Sequence, residues 1–137
     1  MADQLIVNVF EKVDFPEFGI TGMSAKMDTG AFTGALHSTK IYVDKSDTEP
    51  VLHFSPFDHP EVNITTTNFR RARLKSSNGQ TEQRYIIKTT IALDGKPYSI
   101  HLSLADRSSM KIPVLIGRRF MRRHGLMVDV TIKKRKG

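Results

Sequence analysis

Cysteine and tryptophan are both absent from the 137 residues. Without cysteine there can be no disulfide, no thiolate zinc site and no cysteine nucleophile, and the lack fits a reducing, cytoplasmic setting. No apolar run approaches the roughly 18–20 residues that cross a bilayer, so no membrane span is expected. The opening stretch MADQLIVNVFEKVDF has neither a basic n-region nor a long apolar h-region, so no secretory signal is predicted. HExxH and the phosphate-cradling GxxxxGK[ST] loop are missing as well. Internal repeats, low-complexity tracts and linkers are not evident. What remains is ordinary: 39% hydrophobic and 26% charged residues, a balance that excludes wholesale disorder. One domain is therefore expected over residues 1–132, followed by a basic tail over 133–137 (KKRKG).

Acidic residues are scarce in the second half. Residues 70–137 hold 17 of the 21 Lys/Arg but only 4 of the 14 Asp/Glu. Such a half raises the local concentration of anions and suits an acidic partner: a nucleic acid, a ribosome surface or an acidic peptide. It is equally consistent with a solvated basic surface. No base-stacking aromatic motif accompanies the charge, so specific reading of nucleic acid lacks support.

The apolar pattern has mostly period two. Tyr98, Ile100, Leu102 and Leu104 alternate with Ser99, His101, Ser103 and Ala105, as in a half-buried strand. Residues 84–93 form a matching strand, and Asp94-Gly95-Lys96-Pro97 between them predicts a β-hairpin. Further strands are expected over 5–13, 24–27, 36–43, 51–54 and 62–67. Residues 70–75 and 81–87 predict a long hairpin with Asn78-Gly79 at its tip. One helix is predicted, Arg118–His124, stopped by Gly125, and a last strand over 126–130. Many short strands with one short helix indicate an all-β barrel or sandwich.

Chemistry is concentrated in two segments. In Ala25-Lys26-Met27-Asp28-Thr29-Gly30-Ala31 an apolar strand runs into Asp-Thr-Gly. There the Asp28 carboxylate can activate water, the Thr29 hydroxyl can brace the loop, and Gly30 lets the backbone approach and donate to the carboxylate. Alone, the tripeptide also reads as an ordinary turn. In Ile112-Pro113-Val114-Leu115-Ile116-Gly117-Arg118 a strand that reads as buried ends in Gly, ahead of the helix. An Asp-Thr-Gly followed downstream by two apolar residues and Gly is the paired signature of retropepsin-type aspartic peptidases. The 76–79 hairpin occupies the place of their flap.

More narrowly, the chain resembles the retropepsin-like proteins long labelled "ATP-dependent zinc proteases". These are often associated with ATP-grasp glutamate ligases that modify a ribosomal protein. The matching segments are VDFPEF (13–18), AKMDTGAFTGALH (25–37), KSSNGQTE (75–82) with RYII (84–87), IHLSLADR (100–107), MKIPVLIGRRF (110–120) and LMVD (126–129). Phe32 stands where a basic or polar residue is common, and Gly34 where Ser is common. The resemblance implies a retropepsin-like acid-protease β-barrel with Asp28 as catalytic carboxylate, Thr29, Gly30 and Ala31 as its loop, and Ser77, Asn78 and Gly79 as a flap over the substrate. It also implies cleavage of peptide bonds, with trimming of glutamate-rich tails attributed to some members, and a ligase or ribosomal protein as partner. No cofactor is expected, and any ATP dependence belongs to a partner. The rival reading is a catalytically silent binding module of the same fold.

Aspartic chemistry needs two carboxylates, because like charges about 3 Å apart share a proton. With one Asp-Thr-Gly, the second is either Asp28 of another subunit in a homodimer or an in-chain residue, Asp106 or Asp129. In the dimer, the strands near Leu5–Val9 and Leu126–Val130 are expected as the interface. His53, Asp58 and His59 are the nearest thing to a metal-ligand cluster, at no standard spacing, so no metal site is predicted. His37 reads as a structural histidine or as a neighbour of Asp28. Arg70, Arg71 and Arg73 form either a flap-side anion site or one wet hairpin face. Arg118 is placed to bond backbone carbonyls, while Arg119, Arg122 and Arg123 face solvent or an acidic partner.

Overall fold

The computed structural model describes residues 5–46, 48–75, 79–107 and 111–131. The period-two segments become strands in chain order: β1 (Leu5–Asn8), β2 (Phe10–Phe15), β3 (Ile20–Asp28), β4 (Gly34–Asp44), β5 (Val51–Pro56), β6 (Ile64–Thr66), β7 (Phe69–Lys75), β8 (Thr81–Leu93), β9 (Lys96–Ala105), β10 (Val114–Gly117) and β11 (Leu126–Asp129). The helix α1 spans Arg118–His124.

β10 closes the structure. It pairs in parallel with β3 and antiparallel with β4, so the order β10-β3-β2-β8-β9-β4 returns on itself as a six-stranded barrel. Closure removes the sheet edges that would otherwise template association. β5 and β6 extend the sheet from β4, and β7 extends it from β8. The expected all-β barrel is thus the observed fold. Its interior is filled by the alternating residues of the strands, among them Val13, Leu36, Ile91, Leu93, Leu102, Val114 and Ile116, all essentially inaccessible. Phe15 stacks on Phe18 at 5.3 Å, and Phe57 meets it edge-on at 5.4 Å, sealing one end.

Local chemistry explains the turns. Asp94 and Gly95 both adopt left-handed φ, 54° and 79°, which is the two-residue hairpin geometry that Asp-Gly favours. Lys96 and Pro97, expected in that turn, instead pair with Leu93 and Ala92, because a two-residue loop matches the strand twist. α1 ends at Gly125, whose φ of 66° lets its N–H reach back to the Arg122 and Met121 carbonyls.

The N-terminal segment departs from expectation. Residues 5–13 do not run as one strand: the chain breaks after Asn8, whose N–H donates to the buried Glu11 carboxylate at 2.9 Å. β2 continues into the barrel, while β1 leaves it to pair in parallel with β11, from Leu5 with Leu126 to Asn8 with Asp129. The two strands expected to await a second subunit are therefore already partners, and only their outer edges stay open.

Candidate active site

β3 delivers Asp28 to the end of a strand whose neighbour, β10, sets Gly117 directly beside it. The next residues turn sharply. The Ala31 N–H donates to the Asp28 carbonyl at 3.2 Å, and the Gly30 N–H donates to Asp28 Oδ1 at 3.1 Å. The backbone then returns as β4 over the other side of β10. Two crossings in this loop admit no side chain. A Cβ on Gly117 would overlap the Phe32 carbonyl, and one on Gly34 would overlap the Leu115 carbonyl. In this chain Gly34 permits that close backbone approach. Gly117→Ala is expected to cost about 2 kcal/mol or more, read as a lowered melting temperature, because the obstructing atoms are backbone.

The first turn of α1 braces the loop. The Arg118 N–H donates to the Ala31 carbonyl at 2.8 Å, and the Arg119 N–H to the Phe32 carbonyl at 3.2 Å. The Arg118 guanidinium donates to the Gly30 carbonyl at 3.2 Å and more weakly to that of Thr29 at 3.4 Å, as its place after Gly117 led one to expect. No described residue bonds the Thr29 hydroxyl, so the visible brace is Arg118.

Asp28, Thr29 and Arg118 lie in a groove of about 540 Å³ that opens outward. Its other walls are largely apolar, including Val9, Met121, Leu126 and Val128. Alongside, Ile6, Met127 and Val130 are 60%, 49% and 75% exposed, a high price in water for residues of this type.

The other expected residues are dispersed. Gly79, with φ of 86°, ends the hairpin that pairs down to Lys75 and Thr81; Ser77 and Asn78 lie outside the described residues. The basic tail over 133–137 lies outside them too. Asp129 accepts from the Thr131 N–H and hydroxyl, at 2.9 and 2.6 Å, and these bonds lower its pKa. Asp106 sits 3.9 Å from His37 Nδ1. His37 belongs with Pro113, at the far end of β10 from Gly117, about 13 Å away at strand rise. His37 is therefore structural. Its buried ring accepts the Arg107 N–H at Nδ1 (2.7 Å), which leaves Nε2 to donate to Asp58 (2.9 Å), tying two loops to β4.

The structure does not bring His53, Asp58 and His59 together as a ligand set. His53 contacts Asn63 and stacks on Tyr42, His59 faces Glu61, and His37 is engaged at both nitrogens. Among the described residues no three His, Asp or Glu side chains converge as metal ligands.

Sequence reasoning passed over Arg107. Burial, and then the Arg84 guanidinium, pull its pKa down, while Asp28 pulls it up, so this cation feels both the loop carboxylate and a second arginine. Its Nε is buried and has no hydrogen-bond partner among the described residues. Arg84 is held by Glu82, with Nη2 and Nε donating at 2.9 and 3.1 Å. The only signal in the sequence was the position of Arg107 at the end of a clean strand.

The profile of the family described as RimB-like, retropepsin-like aspartic endopeptidase, matches residues 6–136. The chain belongs to this family. It is 33% identical over 126 residues to a probable alpha-L-glutamate ligase of Shewanella pealeana, and 32% identical over 123 residues to one of Desulfotalea psychrophila. These matches cover 87% and 85% of the chain but 27% and 26% of those proteins, so the chain spans about a quarter of their length. Among solved structures, Lpg0085 of Legionella pneumophila superposes with a TM-score of 0.74 at 24% identity, covering 96% of this chain and 97% of that one, a likeness of fold. No described helix is long and apolar enough to cross a membrane.

Proposed function

We propose that the protein is an aspartic peptidase that cleaves acidic, glutamate-rich peptide. The observation that carries this reading is the Asp28 carboxylate, held by the Gly30 N–H at the mouth of an open groove beside Gly117. Thr29, Gly30 and Ala31 form its loop, and Ser77, Asn78 and Gly79 form the flap.

The second carboxylate is Asp28 of another copy. Asp129 is engaged by Thr131 and Asp106 lies beside His37, whereas the Asp28 groove and the exposed Ile6, Met127 and Val130 invite a twofold partner. Across that axis the two carboxylates share one proton. The ionised one takes a proton from water as its oxygen attacks the scissile carbonyl carbon. The protonated one donates to the carbonyl oxygen. Collapse of the tetrahedral intermediate expels the amine, which leaves with a proton from the pair.

Arg107 and Arg84 favour substrate carboxylates. Arg107 is a part-buried cation that feels the Asp28 carboxylate, and such a guanidinium gains a charge-assisted bond from an incoming glutamate. The partner in this reading is a protein bearing glutamates added by an ATP-grasp ligase, such as a ribosomal protein, in the cytoplasm. The ligase names of the longer relatives support that association. They also favour the second reading, a silent module that docks on a ligase.

Peptide cleavage separates the two. Glutamate-rich peptides should be cut with higher kcat/KM than neutral ones of equal length, and the advantage should shrink as salt rises, since exposed charges are screened within about 8–10 Å at 0.1–0.15 M. Arg107→Gln should lower that preference about tenfold, the worth of one charged hydrogen bond, while sparing neutral peptides. Binding without any cleavage would favour the silent module. Indifference to peptide charge would sever the basic half from substrate choice.

A further inference from the structure

α1 divides its side chains between two concavities. Arg118, Met121 and Arg122 line the Asp28 groove, whereas Arg119, Phe120 and Arg123 line a separate pocket that shares no residue with it. Lys88 and His101 form the wall opposite, and Phe32, 50% exposed, stands at its rim.

The fold gathers these charges from four elements. Lys88 and His101 are direct cross-strand partners on β8 and β9. Arg119 and Arg123 are four residues apart on α1 and so share a face. Arg70 of β7 pairs with Ile86, two residues along β8 from Lys88, and therefore lies on the same side of the sheet. The Arg119 guanidinium lies 5.9 Å over the Phe32 ring. No acidic side chain lines the pocket, and among the described residues none of Arg70, Lys88, His101, Arg119 and Arg123 takes part in an ion pair. Like charges so gathered repel, and the folded chain gains nothing from them in isolation. His101 responds to that field: burial first, then Arg119, Lys88, Arg70 and Arg123, lower its pKa.

The enclosed space is about 50 Å³, room for one compact group rather than a nucleobase. We infer that this pocket binds a single oxyanion, the carboxylate or phosphate of an acidic ligand, through Lys88, His101, Arg119 and Arg123. The site does not depend on Asp28 being catalytic, and its test reads binding alone.

The His101 ring resonances of the whole chain report occupancy by NMR. Inorganic phosphate and a hexaglutamate peptide are titrated separately. Saturable shifts at His101 are expected, with its titration moving to higher pH, because a bound anion stabilises the imidazolium. Arg119→Gln combined with Arg123→Gln should weaken binding about tenfold or more for each guanidinium removed, while Lys96→Gln, a distant charge, should not. A response to phosphate alone assigns the ligand a phosphate group, and a response to the peptide alone assigns it acidic side chains; either supports the site. If the helix variant does not fold, Lys88→Gln, an exposed strand position, serves in its place. No saturable shift with either anion, or unchanged affinity in a folded Arg119→Gln/Arg123→Gln or Lys88→Gln protein, overturns the inference.

Discussion

Asp28→Asn should leave the barrel folded and lower peptide cleavage by at least about a hundredfold, the contribution of positioned acid–base catalysis. The amide has the shape of the carboxylate and its oxygen can still accept the Gly30 N–H that the carboxylate accepts at 3.1 Å, so the loop has no reason to rearrange. What disappears is the exchangeable proton. An amide neither takes a proton from water nor holds one to donate. Turnover is measured on protein whose melting temperature matches the wild type. Undiminished cleavage by such a variant would remove Asp28 from the chemistry. A chelator should leave the wild-type rate unchanged, and a rate lost to chelation and restored by zinc would point to metal-dependent hydrolysis.

Activity per chain should collapse on dilution below the dimer dissociation constant, because in the proposed mechanism one chain holds half of the carboxylate pair. Mixing supplies the sharper version. With a ninefold excess of Asp28→Asn chains, random pairing leaves about one wild-type chain in ten with a wild-type partner, so activity should fall about tenfold. In the proposed dimer the groove containing Asp28, Thr29 and Arg118 would face its twin, and the exposed Ile6 and Met127 extend the apolar surface along the β1–β11 ribbon. A two-stranded ribbon is marginal by itself, and its outer edges are free to extend into a larger sheet. Sedimentation run beside the activity titration decides the matter. Full specific activity in a demonstrated monomer would send the search for the second carboxylate back into the chain.

Local pattern determined a good deal here. Strict alternation in Tyr98–Ala105, the Asp-Gly turn before it, and Gly125 after the helical segment are interactions between near neighbours, and they appear in the structure where the sequence puts them. The strand–Asp28–turn and Gly117 before α1 also stand where the motif puts them, although the crossing that excludes a side chain at Gly117 is made with Phe32, a partner distant in the chain. Tertiary structure decided what depends on distant partners. The Asn8–Glu11 bond is local, but the pairing that draws Leu5–Asn8 away from the barrel is with β11, more than a hundred residues later. Arg107 acquires its character from burial and from Arg84 and Asp28, which lie on β8 and β3. The basic pocket proposed to hold an oxyanion is invisible in a chain where Arg70, Lys88, His101, Arg119 and Arg123 are merely scattered basic residues. Period and turn chemistry act over a few residues and can be read along the chain, whereas electrostatic fields add through space and exist only once the barrel has closed.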